Sequence, residues 1–388
     1  MFMKPIPYGR QNITEEDIKA VVETLKSDFL TQGPKIAEFE NAFASYVGSN
    51  YAVAVANGTA ALHLCTLALG VSAGDKVITT PITFAASANC VRYCGGEVVF
   101  ADINPETYLI DLNRVRQILR EDTERKIKGI IPVDFAGRPI DMEVCRNLAD
   151  EFGIWIIEDA CHAPGGFLRN SQGKKVVCGN GIYSDLAIFS FHPVKHIAAG
   201  EGGMITTNNK KLYDKLILLR THGITKSHDL LHENHGGWYY EMQELGFNYR
   251  LTDFQAALGN SQLQRADEGL KRRREIAQTY FDAFRGKAFI KRQSGVVPGH
   301  AYHLYIIEVD RRKELYDYLR SKQIFAQIHY IPLHLMPYYR KLGWKPGDFP
   351  NAENYYRNCL SLPIYPTLSS EEQDYVIDCI FEFYENSL

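Results

Sequence analysis

The sequence predicts an α/β protein in which a large, mostly parallel sheet is followed by a smaller α+β unit. From about residue 36, short apolar runs alternate with helix-like stretches, at 52–56, 76–79, 98–102, 129–133, 154–158, 186–191 and 204–207. These runs are apolar throughout rather than alternating, as in strands covered on both faces. A different pattern begins beyond residue 298, with a strand over 302–309, a helix over 313–321 and a closing helix after Ser370. The 388 residues also exceed what one hydrophobic core accommodates, so two domains are expected, 1–255 and 256–388.

Taken in order, the first element is an amphipathic helix over 14–27. Thr14 and Asp17 form a capping-box pattern, and Ile18, Val21, Val22 and Leu25 recur at helical spacing. A loop over 27–33 follows. Asn57-Gly58-Thr59-Ala60-Ala61-Leu62 comes directly after the first strand and opens a helix that runs to Gly70. The Gly-rich, aromatic segment 236–248 interrupts the strand–helix rhythm, and one long helix over 252–284 is expected to leave the sheet.

Composition removes several classes of function. The chain is 45% hydrophobic and 23% charged, as in ordinary globular proteins. A net charge of −3, with Lys and Arg dispersed, gives nucleic-acid binding little support. The one basic run, Lys271-Arg272-Arg273-Arg274, reads as a solvated helix face. Eight cysteines occur without a C-x-x-C pair, which suggests reduced core thiols and no metal site. His228, His232 and His235 cluster in a loop but lack the partners of a metal site. No apolar run approaches the ~20 residues of a spanning helix, and no signal peptide is evident. A soluble cytoplasmic protein is expected, with no membrane partner.

Three places can carry chemistry. At the strand–helix junction, Gly58 permits close approach of an anion to exposed N–H groups and the Thr59 hydroxyl adds a donor. A plain turn capped by Thr59 explains the same residues. Asp159 ends an apolar strand, where a carboxylate is costly unless paired, and a protonated pyridine nitrogen is one suitable partner. A helix cap or a structural ion pair is the alternative. The neighbouring Glu158 should point to the opposite face. Lys195 follows the strand ending near Phe191, where desolvation lowers proton affinity and suits an amine to Schiff-base formation and proton transfer.

This order of anion turn, strand-end Asp and later Lys is shared with fold-type I pyridoxal phosphate enzymes. The chain resembles the DegT/DnrJ/EryC1/StrS family of nucleotide-sugar aminotransferases over nearly its full length. The motifs that carry the resemblance are Thr31-Gln32-Gly33-Pro34, Asn57-Gly58-Thr59-Ala60-Ala61-Leu62, Glu158-Asp159-Ala160-Cys161-His162-Ala163, Ser190 to Lys195, Gly200-Glu201-Gly202-Gly203 and Asn248-Tyr249-Arg250-Leu251-Thr252. The resemblance implies a fold-type I transferase using pyridoxal 5'-phosphate, with Lys195 as the Schiff-base lysine and Asp159 on the pyridine nitrogen. It further implies Gly58, Thr59 and Ser190 on the phosphate, Phe84 stacked on the ring and His162 on the other ring face. His162 also fits a satisfied core histidine. Asn248 would reach the phosphate across a homodimer interface.

Within the family, Phe191-His192-Pro193-Val194-Lys195, Trp238-Tyr239-Tyr240-Glu241 and Ile328-His329-Tyr330-Ile331-Pro332 look most like the C4 aminotransferases of pseudaminic acid synthesis and their spore-coat relatives. That likeness implies a UDP-linked 4-keto-6-deoxy-N-acetylhexosamine as substrate and L-glutamate as donor. Tyr8, Asp28, Phe29, Leu30, Thr31, Gln327, Ile328, His329, Tyr330 and Asn248 would hold the sugar nucleotide. The rivals are amino transfer at C3, a family dehydratase with histidine in place of Lys195, a non-catalytic nucleotide-sugar sensor, and an NAD-dependent oxidoreductase. Lys195 argues against the dehydratase, Lys195 with Asp159 against the sensor, and the lack of a G-x-G-x-x-G motif against the oxidoreductase.

Overall fold

The computed structural model describes residues 4–385. The apolar runs become seven strands: β1 (Tyr51–Val55), β2 (Lys76–Thr79), β3 (Glu97–Phe100), β4 (Ile127–Ile130), β5 (Trp155–Asp159), β6 (Leu186–Ser190) and β7 (Gly203–Thr207). They form one sheet in the order β1-β7-β6-β5-β4-β2-β3. Strand β7 is antiparallel to both neighbours and every other pairing is parallel. Since β7 reverses direction between β1 and β6, those two run the same way as β5. The carboxyl ends of β1, β5 and β6 therefore share one edge, where parallel sheets collect their ligands. Burial on both faces explains the continuous apolar runs, as with Ile156, Ile157, Ile188 and Phe189, all 0% exposed.

A second, three-stranded antiparallel sheet comprises β8 (Ile290–Gln293), β9 (Tyr305–Val309) and β10 (Cys359–Leu362), with β9 in the middle. Helices Arg312–Ser321 and Ser370–Glu385 pack against each other beside it. The N-terminal segment also reaches this end of the molecule: Ile6–Pro7 pairs in parallel with Ile324–Phe325, and Ile6 is buried among the residues of that core.

Three expectations need correction. The first helix, α1 (Glu15–Leu25), does form, but its apolar stripe faces outward: Ile18, Val22 and Leu25 are 47%, 39% and 53% exposed, whereas Asp17 is fully buried. An ion pair turns this helix, because Arg265 clasps the Asp17 carboxylate and Gln262 Nε2 donates to it at 2.7 Å. The stretch expected as one long helix is two, Asp253–Leu263 and Ala266–Phe284. Arg265 takes the non-helical φ of −115° between them, with its guanidinium on Asp17 and the Asn12 carbonyl. No Gly or Pro marks that break.

The basic run is also not a solvated face throughout. Arg273 is 1% exposed and donates through Nη1 to the carbonyls of Tyr302, His303 and Ile364. Backbone oxygens take the place of water around a charge that burial alone would make costly. Burial still pulls its guanidinium down to about 10. No helix among the described residues is long and apolar enough to cross a membrane, and all eight cysteines are free.

Candidate active site

At the shared strand edge, Asp159 closes β5 and is 5% exposed. Its Oδ2 accepts from Ser87 Oγ at 2.7 Å, and Ser87 is in turn hydrogen-bonded to Thr83 Oγ1 at 2.8 Å. Its Oδ1 accepts from the Cys161 N–H at 3.2 Å. No lysine, arginine or histidine forms an ion pair with this carboxylate among the described residues. A buried carboxylate with neutral donors and no cation is suited to a cationic ligand group. Glu158 points to the other face, as strand alternation requires, and accepts from Gly179 N and Ser184 Oγ.

The turn after β1 opens the helix Gly58–Ala68, and Asn57 rather than Thr59 is its cap, accepting from Ala60 N at 2.8 Å. That leaves the N–H groups of Gly58 and Thr59, and the Thr59 hydroxyl, without an acceptor among the described residues. A side chain at Gly58 would fill the cradle, with its Cβ 3.1 Å from Ser190 Cβ and 3.6 Å from Cys161 Sγ. Gly58, Thr59 and Ser190 thus line one concave spot next to the Asp159 strand end. From below, Gly203 supports it. A Cβ on Gly203 would lie 2.6 Å from the Asn57 carbonyl and 2.9 Å from Gly58 N. Gly203→Ala is expected to cost about 1–3 kcal/mol in thermal unfolding and to weaken anion binding at the turn, read by cofactor titration.

Lys195 lies in the loop after β6, half-buried. Its Nζ stands 3.5 Å from His303 Nε2. Desolvation pulls the ammonium below the ordinary lysine range, while Cys161 and Asp159 oppose the shift and Arg273 adds to it. His303 was not singled out in the sequence; it sits far along the chain in Ala301-Tyr302-His303-Leu304, and its Nδ1 is buried without a partner. An unsatisfied buried N–H is rarer than an unsatisfied lone pair, which favours the Nε2–H tautomer and donation to a neutral Lys195 amine. The His162 ring packs 4.3 Å from that of His303. His162 is satisfied on both nitrogens, with Nδ1 accepting from Ala136 N at 3.2 Å and Nε2 3.3 Å from Tyr330 Oη. Burial, then Lys195, keeps His162 neutral.

Phe84 is 61% exposed, with its ring 6.2 Å from that of Tyr330. Tyr330 is therefore brought to the site together with His162. His329 is directed elsewhere: Nδ1 pairs with Ser361 Oγ at 2.9 Å, its carbonyl accepts from Tyr355, and burial pulls the imidazole down to about 3. Tyr8 packs against the His329 ring at 4.9 Å. Gln327 pairs through its backbone with Ser361, and its side chain accepts from Ile328 N.

Asp28, Phe29, Leu30 and Thr31 are exposed, and this segment is tied to the start of the helix Asp253–Leu263: Leu30 accepts from Asp253 N at 2.9 Å and Thr31 bridges Thr252. Asn248 is exposed and bridges Thr221, with no side-chain hydrogen bond to Gly58, Thr59 or Ser190. Within one chain these five residues are not joined to Lys195. In the histidine loop, Glu241 gathers His232, Tyr239 and Gln243, while His235 pairs with Glu233.

Residues 11–381 match the model of the DegT/DnrJ/EryC1/StrS aminotransferase family. The spore coat polysaccharide biosynthesis protein SpsC of Bacillus subtilis is 39% identical, over 97% of this chain and 96% of its own. A UDP-4-amino-4,6-dideoxy-N-acetyl-beta-L-altrosamine transaminase of Campylobacter jejuni is 37% identical over 98% of both chains. Among solved structures, Helicobacter pylori PseC, an aminotransferase involved in the biosynthesis of pseudoaminic acid, superimposes with a TM-score of 0.87 at 30% identity, over 99% of this chain and 100% of that one. On the family model that spans most of its length and on these whole-length relatives, this protein belongs to the DegT/DnrJ/EryC1/StrS aminotransferase family.

Proposed function

We propose that this sugar aminotransferase moves the amino group of L-glutamate to C4 of a UDP-linked 4-keto-6-deoxy-N-acetylhexosamine, for pseudaminic acid or a related surface polysaccharide. The observation that carries the chemistry is the pair of Lys195, in the loop after β6, and Asp159, at the end of neighbouring β5, one an amine whose proton affinity burial lowers and the other a buried carboxylate held by neutral donors. The regiochemistry rests on the Campylobacter jejuni relative, which is similar along its whole length.

The family is pyridoxal-phosphate-dependent, and the cofactor, when bound, supplies an exchangeable carbonyl and an electron sink. The residues fit it. Gly58 and Thr59 N–H groups, the Thr59 hydroxyl and Ser190 would hold the phosphate, Phe84 and His162 would face the ring, and Asp159 would hold a protonated ring nitrogen. Lys195 Nζ would take the proton from the donor Cα and hand it on to the cofactor within the donor half-reaction, and would carry one from the cofactor to the sugar in the second, with desolvation lowering the proton affinity of the amine so that it is readily freed at the start of each.

Homodimeric assembly completes the reading. Its support is the exposed apolar surface of α1 and of the aromatic loop, where Trp238 is 74% and Leu245 78% exposed, and the placement of Asn248 and of Asp28 to Thr31 away from Lys195 in their own chain. The free thiols support a reducing, cytoplasmic setting.

Purified protein given the UDP-4-keto sugar and L-glutamate is expected to yield 2-oxoglutarate and an equal amount of sugar amine, with nitrogen on C4 by NMR. Turnover of a UDP-linked 3-keto sugar in place of the 4-keto sugar, with nitrogen on C3, selects the alternative regiochemistry. Cofactor binding without turnover on any nucleotide-linked keto sugar overturns amino transfer in favour of a binding role.

A further inference from the structure

On the reverse face of β5 from Asp159, two carboxyl groups meet with no charge to balance them. Asp134 is 0% and Glu158 3% exposed. Asp134 Oδ1 accepts from Ile140 N at 2.9 Å, and Oδ2, although buried, has no hydrogen-bond partner among the described residues. Glu158 takes its donors from Gly179 N at 2.9 Å and Ser184 Oγ at 3.1 Å. An oxygen from each carboxyl and the Cys178 sulfur all lie within 4.8 Å of one another, and all three residues are buried. The other titratable groups acting on this pocket are Asp159, Cys145 and Cys161, each acidic or neutral; no cation is among them.

Two ionised carboxylates cannot stand together in such a place. A structural zinc takes four ligands, and this pocket offers three. We propose that Asp134 and Glu158 hold one proton between them, and that this proton fixes the turn after β4 on which Asp159 and His162 rest. The turn reaches both residues. Asp134 N donates to the Asp159 carbonyl at 3.0 Å and Asp159 N to the Pro132 carbonyl at 2.9 Å. Two residues on, Ala136, at a φ of 60°, donates its N–H to His162 Nδ1. Loss of the shared proton places like charges side by side at the base of that turn, and Asp159 and His162 move with it. Burial, and after it the Glu158 charge, raises Asp134 well above the carboxylate range, while burial raises Glu158 to about 7 against the hydrogen bonds from Gly179, Ser184 and Asp134, which lower it. Asp134 and Glu158 are thus positioning residues. Their effect on the cofactor rests on the proposed reading of Asp159 and His162, whereas the proton itself does not.

The test uses Asp134→Asn, whose amide accepts from Ile140 N and donates permanently to Glu158, and Glu158→Gln as the mirror variant if the first folds poorly. Infrared spectra of the cofactor-free protein should show a protonated carboxyl band that the substitution removes. In the wild type, folding keeps a proton that the unfolded carboxyls release above about pH 4. Wild-type stability therefore falls as pH rises from there to the pH at which the pair ionises. The melting temperature of the variant minus that of the wild type should grow over that range and then level off. Above it, cofactor affinity measured by absorbance titration should fall in the wild type relative to the variant, by up to about tenfold per pH unit.

Identical pH curves for wild type and variant overturn the proposal, as does one equivalent of bound metal per chain by elemental analysis. An infrared change with parallel affinity curves overturns the positioning half. A wild type that binds no cofactor at any pH sinks the proposed function and the positioning half with it, while the infrared and melting measurements still decide the proton.

Discussion

Lys195→Ala is expected to abolish the visible absorbance of the cofactor-loaded protein and to lower transamination on the order of 10⁴-fold or more. Both the covalent hold on the cofactor and the proton transfer depend on one nitrogen, so the two losses appear together. The fold should survive, because among the described residues Lys195 Nζ makes the marginal 3.5 Å contact with His303 and no ion pair. A pH profile sharpens this result. Burial disfavours the ammonium, so the amine of the cofactor-free protein should react with an amine-selective reagent at lower pH than an ordinary lysine near 10.4. Labelling that follows the ordinary lysine curve, or a Lys195→Ala protein that keeps its band, removes Lys195 from this role.

Asp159→Asn should lower the rate by about 10²–10³-fold, the scale of removing one preorganised charge from a water-poor site. The sign of its effect on stability is more telling. Asparagine preserves an oxygen for the Cys161 N–H and a partner for Ser87 Oγ, and it removes a buried carboxylate that makes no ion pair among the described residues. The cofactor-free variant is therefore expected to melt no lower than the wild type. The loaded variant should melt lower, since only there does the wild-type carboxylate meet its cationic partner. Calorimetry with and without cofactor checks the reversal. Equal losses in both states would make Asp159 a structural residue only.

Much of the site was legible in the chain because strands and strand ends have local signatures. Apolar runs mark β1 to β7 within a few residues, a Gly after a strand marks the open helix N-terminus, and alternation along β5 separates Asp159 from Glu158. His303 had no such signature. It lies far from Lys195 in sequence and comes within 3.5 Å only through folding. Asp134 was equally invisible, since a buried acid in a turn looks like a surface acid until its surroundings are known. The outward face of α1 and the buried Arg273 misled for one reason. Helical periodicity counts apolar residues, and in both places a polar group found better partners inside, Arg265 and Gln262 for Asp17, three carbonyls for Arg273.

The sequence by itself determined the α/β class, the family, and the amine, the carboxylate and the open helix turn of the candidate site, each announced by the strand it follows. Tertiary structure alone decided their company. Reversal of β7 aligns the ends of β1, β5 and β6, and desolvation at that edge lowers the proton affinity of Lys195 and His162 and raises that of the acids behind. Proton affinity depends on the water and charge within a few ångströms, and residues distant along the chain supply that surrounding only once the sheet has closed.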